Sequence, residues 1–279
     1  MIVFLNGKFV PEEQAVVSVF DRGFLYGDAL FETLLVTGGR PFLWPEHLRR
    51  LQQGVDALKL SLPYSHDELL AFAAQLIRRN QMTEAMLRLT LSRGVTPRGY
   101  SPRHAANPAV VMTLHPAPVL DPARPPRWRL ITSTLRLPAN DPLARFKTAN
   151  KLRHVLAHAE ADDAGADDAL LLNTDGHLAE AASANLFWVK NKVVRTPPLS
   201  AGPLPGVTRR LVLELCQKLN IPARETRARP GALRQAGGVF LTLASLGIVE
   251  VESLDGNKMR RSPLTRKLYT AYRALLRTT

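Results

Sequence analysis

The stretch Pro116-Ala-Pro-Val-Leu-Asp-Pro-Ala-Arg-Pro-Pro126 separates two patterned regions of the chain. Five of its residues are proline. Proline lacks a backbone N–H and breaks regular elements, so the stretch is typical of a linker. Domains commonly take about 100 to 200 residues, and the chain has 279. We therefore predict an N-terminal α/β domain over residues 1–115, an interdomain linker over 116–126 and a C-terminal α+β domain over 127–279.

Hydrophobic periodicity on both sides of this linker predicts short strands alternating with amphipathic helices. Before the linker we expect hairpins that turn at Asn6-Gly7 and Gly38-Gly39, a helix that begins at Pro45, and a helix capped by Ser65. After the linker we expect two helices, from about Thr148 to Ala164 and over Val207–Leu219. We expect strands between and around them, near Trp128–Thr132, Ala169–Leu172, Asn185–Val189, Val239–Thr242 and Ile248–Val251. These elements predict an α+β fold.

The composition is that of an ordinary globular chain, with 46% hydrophobic and 22% charged residues. Cys216 is the only cysteine, which excludes a disulfide framework and a zinc finger and favours a reducing compartment. No apolar run approaches the length that crosses a bilayer. The opening Met1–Leu5 strand turns at once instead of extending into a signal peptide. We expect a cytoplasmic protein without a membrane partner.

The chain carries a large positive charge, with 37 lysines and arginines against 24 acidic residues and a net charge of +13. A nucleic-acid binder concentrates such charge in a patch, a tail or an arm. Here the arginine pairs are scattered among amphipathic segments. We therefore expect no nucleic-acid partner, and a surface that favours a small anionic substrate.

A candidate anion site lies where Leu199-Ser-Ala-Gly-Pro-Leu-Pro-Gly206 runs into the amphipathic helix that begins at Val207. The first N–H groups of a helix have no partner within it, and the helix dipole favours negative charge there. A glycine at this point lets a phosphate approach the Val207 and Thr208 amides. Pro-Gly before a helix is also a common loop, so the motif alone is weak.

Lys147 lies between a loop that contains Pro138 and Pro142 and the predicted helix. A lysine that leaves solvent at such a junction can keep a neutral amine, and an amine of this kind binds an aldehyde cofactor covalently. Lys151 lies one helical turn further on and is the competing candidate. An exposed helix lysine is the simpler interpretation of Lys151.

Glu180 follows an apolar strand and precedes the small residues Ala181–Ala184, which leave room for a flat ring. A carboxylate opposite a pyridine nitrogen keeps that nitrogen protonated, so that the ring accepts electrons. A solvated carboxylate at the rim of a hairpin is the alternative.

The sequence lacks the motifs of other common active sites. His154 and His158 share a helix face without further ligands, so we expect no metal. No Gly-x-Ser-x-Gly elbow of a serine nucleophile and no phosphate-binding glycine loop occurs.

Taken in order, these features resemble the class IV aminotransferase family, the fold-type IV pyridoxal-phosphate enzymes. The resemblance covers nearly the whole chain. It rests on Asn6-Gly7, Asp21-Arg-Gly-Phe-Leu-Tyr-Gly-Asp-Ala-Leu-Phe-Glu-Thr33, Arg50, Lys147, Glu180, Asn185-Leu-Phe187 and Pro205-Gly-Val-Thr-Arg209. Members are usually homodimers with two domains per subunit, in the fold of the D-amino-acid and branched-chain aminotransferases.

The resemblance implies a role for each matching residue. Lys147 would bind pyridoxal 5'-phosphate and carry protons, and Glu180 would pair with the pyridine nitrogen. The remaining cofactor contacts implied by the family are Arg50, Gly206, Val207, Thr208, Ala244 and Ser245. The implied substrate contacts are Phe31, Arg98 and Tyr100.

The reaction is expected to be that of a 4-amino-4-deoxychorismate lyase in folate biosynthesis, because the loop Arg98-Gly-Tyr-Ser101 resembles that of the lyases. D-Amino-acid enzymes tend to carry Tyr where Phe31 stands and His where Tyr100 stands. Branched-chain enzymes usually carry a threonine where Ala244 lacks a hydroxyl. Some lyases have Thr in place of Glu32, so a class IV aminotransferase acting on D-amino or branched-chain acids stays the alternative. A nucleic-acid-binding protein that kept the fold without its chemistry is the rival from another class.

Overall fold

The computed structural model describes residues 1–278. The chain divides into two compact units, which we call unit 1 (residues 1–118 and 146–150) and unit 2 (residues 119–145 and 151–278). The interdomain linker over residues 116–126 stays a prediction. No helix of the described residues is long and apolar enough to cross a membrane.

Unit 1 is built on a six-stranded antiparallel sheet with strand order β2-β1-β6-β5-β3-β4. Its strands are β1 (Ile2–Leu5), β2 (Lys8–Pro11), β3 (Ala29–Thr37), β4 (Arg40–Pro41), β5 (Ala85–Ser92) and β6 (Val110–Pro116). Its helices are α1 (Arg22–Tyr26), α2 (Trp44–Leu58) and α3 (His66–Asn80).

The helices α2 and α3 bury one apolar face each against this sheet. Leu48 and Leu51 of α2 and Leu76 of α3 are almost fully buried in one cluster with the strands, as expected for apolar residues spaced three or four apart. The predicted cap of α3 is confirmed, because Ser65 and Glu68 form a capping box. The core therefore holds β3 and α2 in a defined register.

Unit 2 contains a nine-stranded mixed sheet and four helices. Its strands are β7 (Arg127–Leu137), β8 (Asp168–Asn173), β9 (Leu178–Ala181), β10 (Asn185–Lys190), β11 (Val193–Thr196), β12 (Ala223–Glu225), β13 (Gly238–Leu243), β14 (Gly247–Leu254) and β15 (Asn257–Lys258). Its helices are α4 (Leu152–Asp163), α5 (Val207–Lys218), α6 (Gly231–Arg234) and α7 (Pro263–Thr278). The α+β prediction is confirmed.

A pairing between β9 and β10 closes β10, β13, β14, β7, β8 and β9 into a ring of strands. Asn185 is opposite Glu180 in the β9–β10 pair and opposite Thr242 in the β10–β13 pair. Directly opposed residues of an antiparallel pair point to the same face of the sheet. The three polar side chains therefore form a row across β9, β10 and β13.

The helix predicted from about Thr148 is wrong at its start, since α4 begins at Leu152. Residues before it are extended along β3 instead. The N–H of Phe31 donates to the carbonyl of Lys147 over 2.9 Å, and the N–H of Ala149 donates to the carbonyl of Ala29 over 2.8 Å. These backbone groups are taken by β3, so they are not available for helical bonds.

Candidate active site

The strand-like pairing with β3 positions Lys147 in unit 1. Its ammonium nitrogen lies 4.6 Å from the centroid of the Phe31 ring. The side chain is only partly exposed, and an aromatic face next to an amine replaces part of its water shell. The structure thus brings together two of the predicted residues, the candidate cofactor lysine and the candidate substrate contact Phe31.

Arg88 on β5 contacts the same ring and was missed by the sequence analysis. Its guanidinium carbon lies 3.9 Å from the Phe31 centroid, and burial lowers the pKa of the Arg88 guanidinium. No carboxylate of the described residues 1–278 forms an ion pair with it. The available signal was a single charge within the otherwise uncharged strand Ala85–Ser92. A partly buried guanidinium of this kind is able to bind a carboxylate through charge-assisted hydrogen bonds.

Arg50 lies on α2 and is bound by Glu32 of β3 in a buried ion pair. The Arg50 Nε donates to Glu32 Oε1 over 2.8 Å, and an Nη donates to Oε2 over 2.6 Å. His47 Nδ1 lies 2.7 Å from Glu32 Oε2. Glu32 is 0% exposed. The guanidinium is therefore bound by the Glu32 carboxylate, and its predicted contact with a cofactor phosphate stays a prediction.

The buried pairing changes how Glu32 ionises. Burial works to raise the pKa of Glu32, but the charge and hydrogen bonds of Arg50 and His47 outweigh it and lower the pKa to about 2. Burial lowers the pKa of His47. Glu32 is therefore anionic at neutral pH. From the sequence, Glu32 was noted only as a position where some lyases have Thr.

Arg98 and Tyr100 lie on the exposed loop that follows β5. Tyr100 is 84% exposed, and its ring centroid lies 5.3 Å from that of Tyr26. Both residues keep their predicted substrate roles as predictions. The backbone of their loop is bound by Arg22 of α1, a residue that the motif contained but to which the sequence analysis gave no role.

Glu180 of unit 2 is buried on β9 with three hydrogen-bond donors around its carboxylate. His154 Nε2 of α4 lies 3.2 Å from Oε1, Asn185 Nδ2 donates to Oε2 over 3.3 Å, and the Leu204 N–H donates to Oε2 over 3.0 Å. From the sequence, the only role considered for His154 was that of a metal ligand. The donors occupy both oxygens and therefore fix the direction in which the carboxylate points.

The start of α5 has the features of an anion site. Gly206 caps the helix without a side-chain hydrogen bond, so the first amides of the helix, at Val207 and Thr208, have no capping side chain. A Cβ at Gly206 would lie 1.9 Å from Asn185 Oδ1. Only glycine fits there, and it leaves the helix start uncovered by a side chain.

The other predicted cofactor contacts of unit 2 lie in the turn between β13 and β14, where Ala244 and Ser245 are partly buried. Next to this turn, Thr242 is 2% exposed, and its hydroxyl has no hydrogen-bond partner among the described residues. A buried hydroxyl without a partner costs free energy. It is a donor for a polar group that unit 2 does not itself supply.

The chemistry of each unit suits a part of pyridoxal phosphate. In unit 2, the first amides of α5 and the Thr242 hydroxyl are donors of the kind that a phosphate accepts, and Glu180 is an oriented carboxylate of the kind that pairs with a ring nitrogen. In unit 1, Lys147 has an amine of the kind that binds an aldehyde. No group of His, Cys, Asp and Glu side chains in residues 1–278 is arranged to hold a metal ion.

Comparison with known proteins agrees with this chemistry. The family model described as amino-transferase class IV matches residues 29–254. A Methanocaldococcus jannaschii protein, provisionally named a branched-chain-amino-acid aminotransferase, is 36% identical over 96% of this chain and 94% of its own. An aminodeoxychorismate lyase of Bacillus subtilis is 29% identical over 91% of this chain and 87% of its own. Relatives named D-alanine aminotransferase also match.

A solved structure shows the same fold. The crystal structure of the Escherichia coli branched-chain amino acid aminotransferase superposes with a TM-score of 0.92 at 28% identity, over 99% of this chain and 94% of that chain. The fold-type IV architecture expected from the motifs is thereby confirmed.

The comparisons also confirm the expected cofactor and enzyme class. The family and the named relatives depend on pyridoxal phosphate, so the protein is a pyridoxal-phosphate enzyme, either a lyase or an aminotransferase. Because the family model spans most of the sequence and the fold agrees with it, this chain belongs to the class IV aminotransferase family.

Proposed function

We propose that the protein is a lyase that converts 4-amino-4-deoxychorismate to 4-aminobenzoate and pyruvate in folate biosynthesis. The observation that carries the proposal is Arg88, a partly buried guanidinium without a carboxylate partner among residues 1–278, on the same ring as Lys147. A desolvated cation next to the reacting amine selects a substrate that carries a carboxylate near its own amine. The proposed substrate has a ring amine and two carboxylates.

Each residue of the site would have a separate role in the reaction. Bound pyridoxal phosphate supplies an aldehyde and an electron-accepting ring. Lys147 would hold the aldehyde through its amine until the substrate amine takes its place, and the freed Lys147 amine would then take a proton from the substrate carbon that bears the nitrogen. The ring C–O bond would break, and the enolpyruvyl group would leave and become pyruvate on protonation. Glu180 is oriented by its three donors and would pair with the ring nitrogen. The amides of Val207 and Thr208 would bind the phosphate.

The choice of a lyase has three supports in the chain itself. The proposed substrate carries two negative charges, and Arg98 on the loop after β5 offers a second cation besides Arg88. The net charge of +13 favours the encounter with a dianion. Ala244 also lacks the hydroxyl that is usual at this position in branched-chain enzymes.

A second candidate is transamination of branched-chain or D-amino acids. The observation in its favour is the relative from Methanocaldococcus jannaschii, which is 36% identical and provisionally named a branched-chain-amino-acid aminotransferase. The same Lys147 and Glu180 would serve this reaction. Arg88 would then bind a carboxylate of the amino acid or of the oxo acid.

The two candidates are separated by product analysis. The purified enzyme is incubated with 4-amino-4-deoxychorismate, and 4-aminobenzoate is followed by its fluorescence. Separate samples receive L-leucine or D-alanine, and the visible spectrum of the cofactor is recorded. Formation of 4-aminobenzoate supports the lyase, whereas amino-acid-driven spectral change without lyase turnover would reject it in favour of the transaminase.

The role of Arg88 is tested by Arg88→Met, with Arg49→Met of the exposed α2 face as the matched control. Loss of a charge-assisted hydrogen bond costs about 1.5–3 kcal/mol, so we expect kcat/KM to fall by about 10- to 150-fold. The control should keep the wild-type value. Equal kinetics in the two variants would remove the observation on which the proposal stands.

A further inference from the structure

One arginine binds the backbone carbonyls of the loop that carries Arg98 and Tyr100. Arg22, the first residue of α1, is 5% exposed. Its Nη atoms donate to the carbonyls of Gly99 over 3.0 Å, Tyr100 over 2.9 Å and Ser101 over 3.3 Å. Three consecutive loop carbonyls thus converge on one guanidinium.

Other contacts lock the arginine itself. Its Nε donates to Asp28 over 2.8 Å, and an Nη donates to the Thr96 hydroxyl over 3.1 Å. The guanidinium carbon lies 5.0 Å from the centroid of the Tyr26 ring. A guanidinium has five N–H donors in a rigid plane. The Nε of Arg22 binds one carboxylate, and its two Nη atoms bind four loop acceptors, three of which share one Nη, so the loop and the arginine fix each other.

The conformation of the loop needs such support. Gly99 has φ of +113°, a region open to glycine, so the backbone of the loop turns at this residue. The base of the loop is closed by paired backbone bonds between Val95 and Ala106. The carbonyls of Gly99, Tyr100 and Ser101 share one partner, the side chain of Arg22.

We infer that Arg22 is a positioning residue that fixes the substrate loop, residues 96–101, and thereby sets the place from which Arg98 meets the substrate. The step from loop to substrate rests on the proposed function. Arg22 does not contact the reacting atoms in this scheme. Its loss therefore weakens substrate binding and leaves the chemical step unchanged.

The chain offers a matched control in Arg93. Arg93 also pairs with Asp28, over 2.7 Å, and is similarly buried. Its carbonyl acceptors, however, are Leu58 and Lys59 at the end of α2. Arg93→Lys therefore disturbs the same carboxylate without removing a bond to residues 96–101.

The test uses the cofactor-loaded enzyme with Arg22→Met, Arg22→Lys and Arg93→Lys. Native trypsin digestion is followed by mass spectrometry of cuts after Arg98 and Arg103. Because digestion follows the open fraction of a loop, we expect these cuts to accelerate about tenfold or more in both Arg22 variants. Arg93→Lys should stay within about twofold of the wild type. Unchanged cleavage in the Arg22 variants would overturn the inference.

Steady-state kinetics separate this inference from the proposed function. With 4-amino-4-deoxychorismate, we expect KM to rise about tenfold in Arg22→Lys while kcat stays within about twofold. If lyase turnover is absent, the same KM shift with an amino acid donor supports the positioning role and rejects the lyase. A loosened loop with unchanged KM for both substrates would overturn the positioning role. If Arg22→Met does not fold, Thr96→Val removes one of the same bonds, and Arg22→Lys keeps the charge.

Discussion

Replacing Glu32 by glutamine isolates the buried ion pair that holds Arg50. The substitution keeps the shape of the side chain and removes its charge. Glutamine offers one acceptor oxygen, whereas Glu32 accepts from Arg50 at both oxygens, over 2.8 and 2.6 Å. Breaking a buried pair by changing one partner leaves the other charge uncompensated. We therefore expect Glu32→Gln to destabilise unit 1.

The size of the effect follows from the ionisation of Glu32. Its pKa falls from an ordinary 4.5 to about 2 in the folded chain. Each unit is worth about 1.4 kcal/mol, so the charged form stabilises the fold by about 3 kcal/mol at neutral pH. The folded pKa lies below the unfolded one. This contribution is therefore complete above pH 4.5 and is lost as the pH falls towards 2.

Hydrogen–deuterium exchange of the apoenzyme measures the change within unit 1 alone. A loss of about 3 kcal/mol speeds exchange of the globally protected amides of α2 by on the order of 100-fold. Glu84→Gln is the control, because Glu84 is an exposed carboxylate of the same unit that accepts from the Gly38 N–H. We expect it to change the free energy of opening by less than about 1 kcal/mol.

The pH profile adds a second check on the same variant. The wild type should lose stability between pH 4.5 and about 2, whereas Glu32→Gln lacks that contribution. The difference between the two proteins therefore shrinks in acid. Equal protection of α2 in both proteins at neutral pH would refute the reasoning that the charge of Glu32 stabilises unit 1.

Further predictions concern the cofactor. Borohydride reduction and mass spectrometry should locate the cofactor on Lys147; Lys147→Ala abolishes the adduct and Lys151→Ala keeps it, so an adduct on Lys151 would contradict the assignment. Glu180→Gln should retain the bound cofactor but lower kcat about 100-fold or more, since the ring nitrogen loses its carboxylate; near-normal stopped-flow turnover would oppose this. Gly206→Ala places a Cβ 1.9 Å from Asn185 Oδ1 and should displace the start of α5. Titration with the cofactor should then show binding weaker by about tenfold or more. Unchanged affinity would count against the phosphate site.

Local sequence signals were sufficient for most elements and for the family. Periodic apolar residues predicted α2 and α3, and the Ser65 cap is present, because burial against any partner leaves the same spacing. The signals failed where pairing is not local. Thr148 follows a helical pattern in the sequence, but the backbone on either side of it is bound to β3. The helix α7 was not predicted.

The candidate residues show the same division. Lys147, Glu180 and Gly206 stand in motifs, and a motif is visible without a structure. Arg88 and Arg22 were given no role, because nothing local distinguishes a cation that faces an aromatic ring, or one bound to carbonyls more than 70 residues away, from a solvated arginine.

The amino-acid sequence was enough to predict the family, its cofactor and the order of the motifs, because these depend on residue types at short spacings. The partners of the buried charges came only from the tertiary structure. Glu32 meets Arg50 across 18 residues and Arg22 meets Gly99 across 77. Strand register and helix packing decide such meetings, and the hydrophobic pattern specifies that a side chain is buried but not which polar group it meets there.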